Sequence, residues 1–183
     1  MNKTSNPQIN NLKVHVLLTT SGIHRLKKSL LTVIAKSYNN FSVVKDEFTY
    51  ILFPKRGFVN ITGIRGFVDV NRVIPHLCLF FSLNRSDILS DIVIDNISAS
   101  GNFWQRVNLV NLHKTINKRS SVKRVGFQSC TFDRNRFPGA FCRTYGFGTL
   151  TLFPSGKYVV VGAKCQEHVD HIFQQMSAVI AML

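Results

Sequence analysis

The chain carries an internal repeat, and that repeat limits the folds open to it. Ile51-Leu52-Phe53-Pro54 in the first half answers to Thr151-Leu152-Phe153-Pro154 in the second. Gly57-x5-Gly63-x-Arg65 answers to Gly156-x5-Gly162-x-Lys164. Both copies then run into a stretch with apolar residues at helical spacing. Each half is too small to cover a core, so duplication implies a pseudo-symmetric pair sharing one sheet.

The elements around these motifs repeat as well. In the first half, Leu12, Val14 and Val16 alternate with Lys13 and His15, which predicts a half-buried strand over residues 12–19. Ser21-Gly22 breaks the pattern. Ile23, Leu26, Leu30 and Ile34 then predict an amphipathic helix. Strand-like runs follow at 41–44, 48–53 and 58–62. Val70, Val73, Ile74 and Leu77 are spaced for a helix over 67–81, with Pro75 predicting a kink or an early stop. In the second half, a strand is expected at 92–99 and a helix at 103–116, with Val107, Val110 and Ile116 as its apolar marks. Strands are expected at 127–132, 140–145, 149–153 and 157–161, and a helix over 166–182. The order is β-α-β-β-β-β-α, twice. The division is a short N-terminus (1–6), repeat 1 (7–83), a polar connector (84–90) and repeat 2 (91–183), with a basic insertion near 117–125.

Charge narrows the partner. With 23 Lys and Arg against 9 Asp and Glu, the net charge is +14 on 183 residues, of which 45% are apolar. That apolar content excludes a disordered basic tail, and the surplus points to a polyanion, nucleic acid first. The basic residues cluster: no acid lies between Asn96 and Thr131, whereas Arg106, Lys114, Lys118, Arg119, Lys123 and Arg124 do. No apolar run approaches a membrane span, the longest being broken by Pro75, His76 and Ser82. Residues 1–11 are polar, without signal-peptide order. Cys78, Cys130, Cys142 and Cys165 show no CxxC spacing, which fits reduced thiols in an intracellular protein. Cys165, His168 and His171 do not share one helix face and lack a fourth ligand, so they are read as helix surface, not a metal site. No cofactor is expected.

The repeated strands also predict a surface. Period-2 alternation puts Lys157, Val159 and Val161 on one face of a strand, Tyr158 and Val160 on the other. If helices cover Leu150, Leu152 and Val160, the uncovered face holds Phe153, Lys157, Val161, Thr149 and Thr151. The matching face of the first half holds Phe53, Phe58, Asn60 and Thr62. Small, apolar and hydrogen-bonding groups edged by cations and Phe suit a groove better than bulk solvent.

These residues resemble a family. Phe137-Pro138-Gly139-Ala140-Phe141-Cys142-Arg143, Leu152-Phe153-Pro154-Ser155-Gly156-Lys157 and Gly162-Ala163-Lys164 closely resemble the second repeat of the TATA-box-binding protein family. Pro7-Gln8-Ile9-Asn10-Asn11-Leu12 and Thr62-Gly63-Ile64-Arg65 resemble its first repeat, and Ile94-Asp95-Asn96 the matching strand of the second. The resemblance spans residues 7–182. It implies an α+β saddle: a curved antiparallel sheet of about ten strands, helices on the convex face and the DNA minor groove on the underside. It further implies that Asn11 and Asn96 form a central amide pair, with Thr62, Val159 and Val161 lining the groove face. An A·T minor groove displays acceptors alone, and G·C adds an amine donor that obstructs an apolar surface. Phe137 with Phe153, and Phe41 with Phe53, match the wedges with which this family unstacks base steps and kinks the duplex. Arg143, Lys157, Lys164 and Arg65 match phosphate contacts, which supply affinity without sequence choice.

Several positions depart from the family. Lys13 and Ser98 replace small apolar residues beside the asparagines, and Phe58 stands where the second repeat has Lys157. Asp133-Arg134-Asn135-Arg136 precedes Phe137, where the family carries acids that bind the general factor IIB. The helix from Phe67 lacks the family's basic face. Asn, Ile, Lys and Phe usage suits an AT-rich genome, such as that of a parasite or a large DNA virus.

The expected function is a nuclear, or for a virus virion or replication-compartment, transcription initiation factor. It would bind and bend AT-rich promoter DNA and recruit general factors or polymerase subunits, with no membrane and no small-molecule substrate. The alternative is a scaffold of the same fold with altered DNA reading. An enzyme is not expected: there are no paired carboxylates and no H-x-E…C-x-x-C signature. Ser155-Gly156-Lys157 lacks the upstream Gly and following Ser/Thr of a P-loop.

Overall fold

In the computed structural model, residues 6–38, 40–118 and 126–183 are described. The expected basic insertion lies mostly outside the described residues, as do Arg119, Lys123 and Arg124. The chain gathers into two compact units, one of residues 11–95 and one of residues 96–183 joined by the N-terminal residues up to Asn10. We call them the first and second units.

The predicted order appears in both halves. The first half runs β1 (Gln8–Leu17), α1 (Thr20–Ser29), β2 (Lys36–Ser37), β3 (Ser42–Lys45), β4 (Thr49–Phe53), β5 (Phe58–Ile64) and α2 (Phe67–Phe81). The second runs β6 (Val93–Asn102), α3 (Leu109–Asn117), β7 (Phe127–Thr131), β8 (Ala140–Thr144), β9 (Thr149–Leu152), β10 (Lys157–Ala163) and α4 (Gln166–Ile180). Strand order is β1-β5-β4-β3-β2 in one half and β6-β10-β9-β8-β7 in the other, antiparallel throughout. The short β2, pairing Lys36 with Val43 and Ser37 with Ser42, is the strand that hydropathy alone did not locate.

In each unit the helices cover one sheet face. Leu12, Val14, Val16, Val59, Ile61 and Ile64 are fully buried on the covered face of the first unit. Leu150, Leu152, Tyr158, Val160 and Ala163 are buried in the second, beneath Ile172 and Met176 of α4. The alternation along β10 matches the period-2 expectation residue by residue.

Four local expectations change. Ser21-Gly22 does not separate strand from helix: Thr19 caps α1, its hydroxyl accepting from Gly22 N at 3.1 Å, so both residues belong to the first turn. The same helix ends at Ser29, which leaves Ile34 97% exposed. Helix α2 runs on through Pro75 to Phe81. A proline in a helix interior costs about 3 kcal/mol. Burying Val73, Leu77 and Phe81 contributes about 5–9 kcal/mol together, and Pro75 sits on the exposed side. Helix α3 starts late, because the Asn108 side chain accepts from Val110 N and Asn111 N, both at 3.1 Å. Its buried residues are Leu109, Leu112 and Ile116, and Val110 is exposed.

The polar stretch after α2 is more than a connector. Residues Arg85–Asp87 form a 3-10 turn with the Asp87 side chain buried. Asp87 accepts from Asn84 N at 2.8 Å, from Ser21 Oγ at 2.7 Å and from Arg25 Nε at 3.2 Å. Its backbone carbonyl accepts from Thr19 N at 2.8 Å. The Asn84 N–H, then the Ser21 hydroxyl, hold its carboxyl below the usual carboxylate range. This carboxylate ties the 3-10 turn to α1.

Candidate nucleic-acid interface

The uncovered face is organised by the repeated glycines. Between Val14 and Leu12 the partner β5 advances three residues, from Ile61 to Ile64, so Thr62-Gly63 forms a bulge. Strand β10 bulges in the same way at Val161-Gly162, between the pairs Val160↔Ala99 and Ala163↔Ile97. Gly63 has φ +91° and Gly162 φ +89°, conformations in which a Cβ is strained. Each bulge turns its N–H onto an asparagine. Gly63 N donates to Asn11 Oδ1 at 2.8 Å, and Gly162 N donates to Asn96 Oδ1 at 2.6 Å. With its oxygen held, each amide presents its NH2 group beside a hydroxyl: Asn11 Nδ2 donates to Thr62 Oγ1 at 3.0 Å, and Asn96 Nδ2 to Ser98 Oγ at 3.1 Å. Both expected asparagines thus sit in the same device, one in each unit.

In the second unit, Val159 and Val161 stay 36% and 40% exposed beside Lys157, so two valines line an open face. Phe137 and Phe153 come together at its edge, ring centres 5.8 Å apart. Gly139 leaves room for them: a Cβ there would lie 2.8 Å from Phe137 Cε1 and 3.2 Å from Phe153 Cε1. Phe141 stacks on Phe137 at 4.9 Å and is 43% exposed, a third ring that sequence reading did not single out. The alternation of Ala140, Cys142 and Thr144 inward against Phe141 and Arg143 outward was the signal for it. Arg143, Lys157 and Lys164 are exposed.

In the first unit, Phe41 and Phe53 pair at 5.6 Å. Tyr38 extends the cluster by stacking on Phe41 at 4.6 Å, and Phe58 extends it inward, 5.7 Å from Phe53 and 4.9 Å from His15. Phe58 is thus part of the aromatic row, with no cation at its position. Arg65 is exposed just past β5.

This unit also carries charge on the open face. Asp95 takes His15 Nδ1 at 2.9 Å and Lys13 Nζ at 3.7 Å. The second unit has Asn10 Nδ2 donating to Ser100 Oγ at 2.7 Å.

Elsewhere, Arg72 of α2 is tied to Glu47 and Asp69, and His76 to Asp46 at 3.1 Å and to the Tyr50 hydroxyl at 2.6 Å. The turn before Phe137 is closed by Asp133, which pairs with Arg136 at 3.4 Å. His168 and His171 both pack on Phe147, with ring centres 4.9 and 4.7 Å away.

Two α+β units of one strand order, each with a bare sheet face, a bulge-held asparagine and an aromatic cluster, define a class of repeat-built binding proteins. The family model for transcription factor TFIID (or TATA-binding protein, TBP) matches residues 91–183, just over half of the chain. The chain belongs to this family, which comprises transcription factors and not enzymes. It is 28% identical over 127 residues to the TATA-box-binding protein of Picrophilus torridus, covering 67% of this chain and 63% of that one. It is 26% identical over 130 residues to the TATA-box-binding protein of Thermoplasma volcanium, covering 69% of this chain and 66% of that one. The matches therefore span slightly less than two thirds of those relatives' own length. The solved structure of Methanococcus jannaschii TBP superposes with a TM-score of 0.74 over 98% of this chain and 100% of that chain, at 16% identity. That likeness gives the fold, which is the α+β fold that the resemblance implied. No described helix is long and apolar enough to cross a membrane.

Proposed function

We propose that the uncovered sheet face binds duplex DNA through the minor groove and bends it, and that the protein acts in the nucleus as a transcription initiation factor at AT-rich promoters. The observation that carries this reading is the bulge-held asparagine of each unit. An amide whose oxygen is already occupied offers donors, and the A·T minor groove edge offers acceptors. Phe137 with Phe153, and Phe41 with Phe53, serve as the wedges; Phe141 and Tyr38 back them. Arg65, Arg143, Lys157 and Lys164 contact phosphates, each adding about 0.9 to the slope of log affinity against log salt. The functional division follows the two repeats, 7–83 and 91–183, joined by 84–90. Recruited partners are general transcription factors or polymerase subunits. Because the charges of α2 are tied to Asp46, Glu47 and Asp69, and Asp133 to Arg136, these partners meet surfaces of altered charge.

The test is affinity and bend angle, by energy transfer between duplex ends at fixed salt, on AT-rich and GC-rich duplexes. The wild type binds and bends the AT-rich duplex preferentially. Phe137→Ala and Phe153→Ala each lose at least about tenfold in affinity, as buried aromatic anchors do. Equal binding of both duplexes without a bend, or affinity untouched by these substitutions, refutes the proposal and favours a scaffold role.

A further inference from the structure

The only tryptophan of the chain, Trp104, stands 65% exposed on a backbone with φ +55°. A bulky side chain at positive φ is strained, and such strain persists where the surrounding structure imposes it. Ser82, the other non-glycine residue at positive φ among the described residues, ends α2; no helix ends at Trp104. Instead, the loop 103–107 is fastened on both sides. Phe103 is buried against Tyr158 and Phe173, ring centres 4.7 and 5.4 Å away. Its N–H donates to Gly156 O at 3.0 Å, and Val107 N donates to Pro154 O at 3.0 Å. Trp104 N donates to Asn102 Oδ1 at 2.8 Å. With Phe103 turned into the core, these bonds leave the indole in solvent. A large apolar ring in water forgoes the stabilisation that burial gives. Among the described residues no other ring lies against it.

The indole lines a concavity of about 930 Å³ within the second unit, beside the turn that follows Phe153. That volume is in the range of small-molecule sites. Phe153 lines it too, with Val159 and the hydroxyl-bearing Ser100 and Ser155. Lys157 supplies its charge, and no acid lines it among the described residues. Lys157 and Val159 lie opposite Asn102 and Ser100 in the β10–β6 ladder, so the floor belongs to the same open face that carries the proposed groove contact. Two aromatic walls, hydroxyls and a cation match the chemistry of a nucleotide, which is a flat ring with polar edges joined to an anion. Stacking of a base on an aromatic side chain tolerates any sequence, because every base has a π-face.

We propose that this concavity takes up one unpaired base of the bound DNA, stacked on the indole of Trp104, with its phosphate on Lys157. The inference rests on the minor-groove reading above and extends it. A wedge such as Phe153 unstacks a base step at a cost. Trp104 gives the freed base another ring to stack on and offsets part of that cost. Ser100 and Ser155 meet the base edge with hydroxyls that donate or accept, so no particular base is required. A transcription initiation factor with such a site favours opening of the duplex beside its kink.

The test uses the full chain, whose single tryptophan makes its emission a report on this one place. The probes are a paired AT-rich duplex, the same duplex with one mismatched pair moved stepwise along the site, and deoxyadenosine monophosphate alone. Affinity and emission are read at fixed salt. A mismatch at one position should tighten binding and quench the indole, since mispairing lowers the cost of freeing the base. Trp104→Ala should weaken binding of that duplex by roughly 5- to 150-fold, and binding of the paired duplex less. Trp104→Phe keeps a ring and should restore most of the loss. Because Trp104 is exposed, neither substitution disturbs the core. Unchanged emission on binding, or a loss in Trp104→Ala that is equal for paired and mismatched duplexes, overturns the inference while AT-preferring binding and bending stand. Quenching by the monophosphate with no effect of any mismatch makes this a free-nucleotide site and overturns the inference as well. Absence of AT-preferring binding and bending overturns the underlying reading instead, and this inference with it.

Discussion

Replacing Gly162 by Ala perturbs the bulge and the site at once. At φ +89° a Cβ costs about 1–2 kcal/mol. The new Cβ would sit 3.4 Å from Gly148 Cα, an ordinary van der Waals contact, so the cost is backbone strain and not a clash. Against this, Ala removes freedom from the unfolded chain, worth about 0.4–1 kcal/mol. The net loss is about 1 kcal/mol, or a fall in Tm of roughly 2–4 °C for a chain of this size. The strain is relieved most easily by rotating the 161–162 peptide, which draws the N–H away from Asn96 Oδ1, now 2.6 Å distant. The amide then loses its fixed orientation, and affinity for AT-rich duplex should fall with the Tm. Gly146→Ala is the control. Its φ is +84° and open space surrounds it, so it should lose similar stability; it holds no group of the site, so affinity should stay. Calorimetry and duplex titration on both variants decide the matter. If Gly162→Ala leaves Tm and affinity unchanged, or if Gly146→Ala weakens DNA binding equally, the bulge does not position the asparagine.

Two further outcomes follow from the buried groups. Because the Asp87 carboxyl titrates below the usual range when folded, its stabilisation is complete above about pH 4 and is lost as pH falls through the lowered folded value. The Tm gap between wild type and Asp87→Asn should therefore be wide at pH 6 and close on acidification; a gap that does not change with pH would refute this role. Cys130 and Cys142 are buried with sulfurs 3.3 Å apart, and the hydrogen bond from Cys142 to Cys130, followed by burial, raises the Cys142 thiol well above its ordinary range. At pH 8 mass spectrometry should find these two unalkylated until denaturant is added, while the half-buried Cys165 reacts first; prompt labelling of Cys142 in the native protein would contradict the packing.

Much of the architecture was legible because it rests on short-range rules. Period-2 alternation names which side of β10 is buried, and glycines at matched spacing mark the two bulges. The helix bounds were less legible, since they depend on partners distant in sequence. Pro75 reads as a break until Val73, Leu77 and Phe81 find a sheet to bury against. Residues 84–90 read as a linker until Asp87 meets Ser21 and Arg25. At the candidate site, both asparagines and both phenylalanine pairs stand out by resemblance, and the structure brings each phenylalanine pair together. Tyr38 has no such mark, because it lies outside a regular strand; Phe141 is marked as outward by the alternation along β8, but only the fold sets it beside Phe137.

The duplication, the strand faces, the glycine positions and the basic surplus are all present in the amino-acid order, because they follow from local sterics, side-chain alternation and composition. Tertiary structure alone decided the pairings: which backbone N–H holds each asparagine, which rings stack, and that Asp95 lies against Lys13 and His15, far away in the chain. That last pairing gives the first unit a charged cluster where the matching positions of the second unit are neutral. Sequence spacing cannot reveal it, because the charge balance of a face depends on which strands fold side by side.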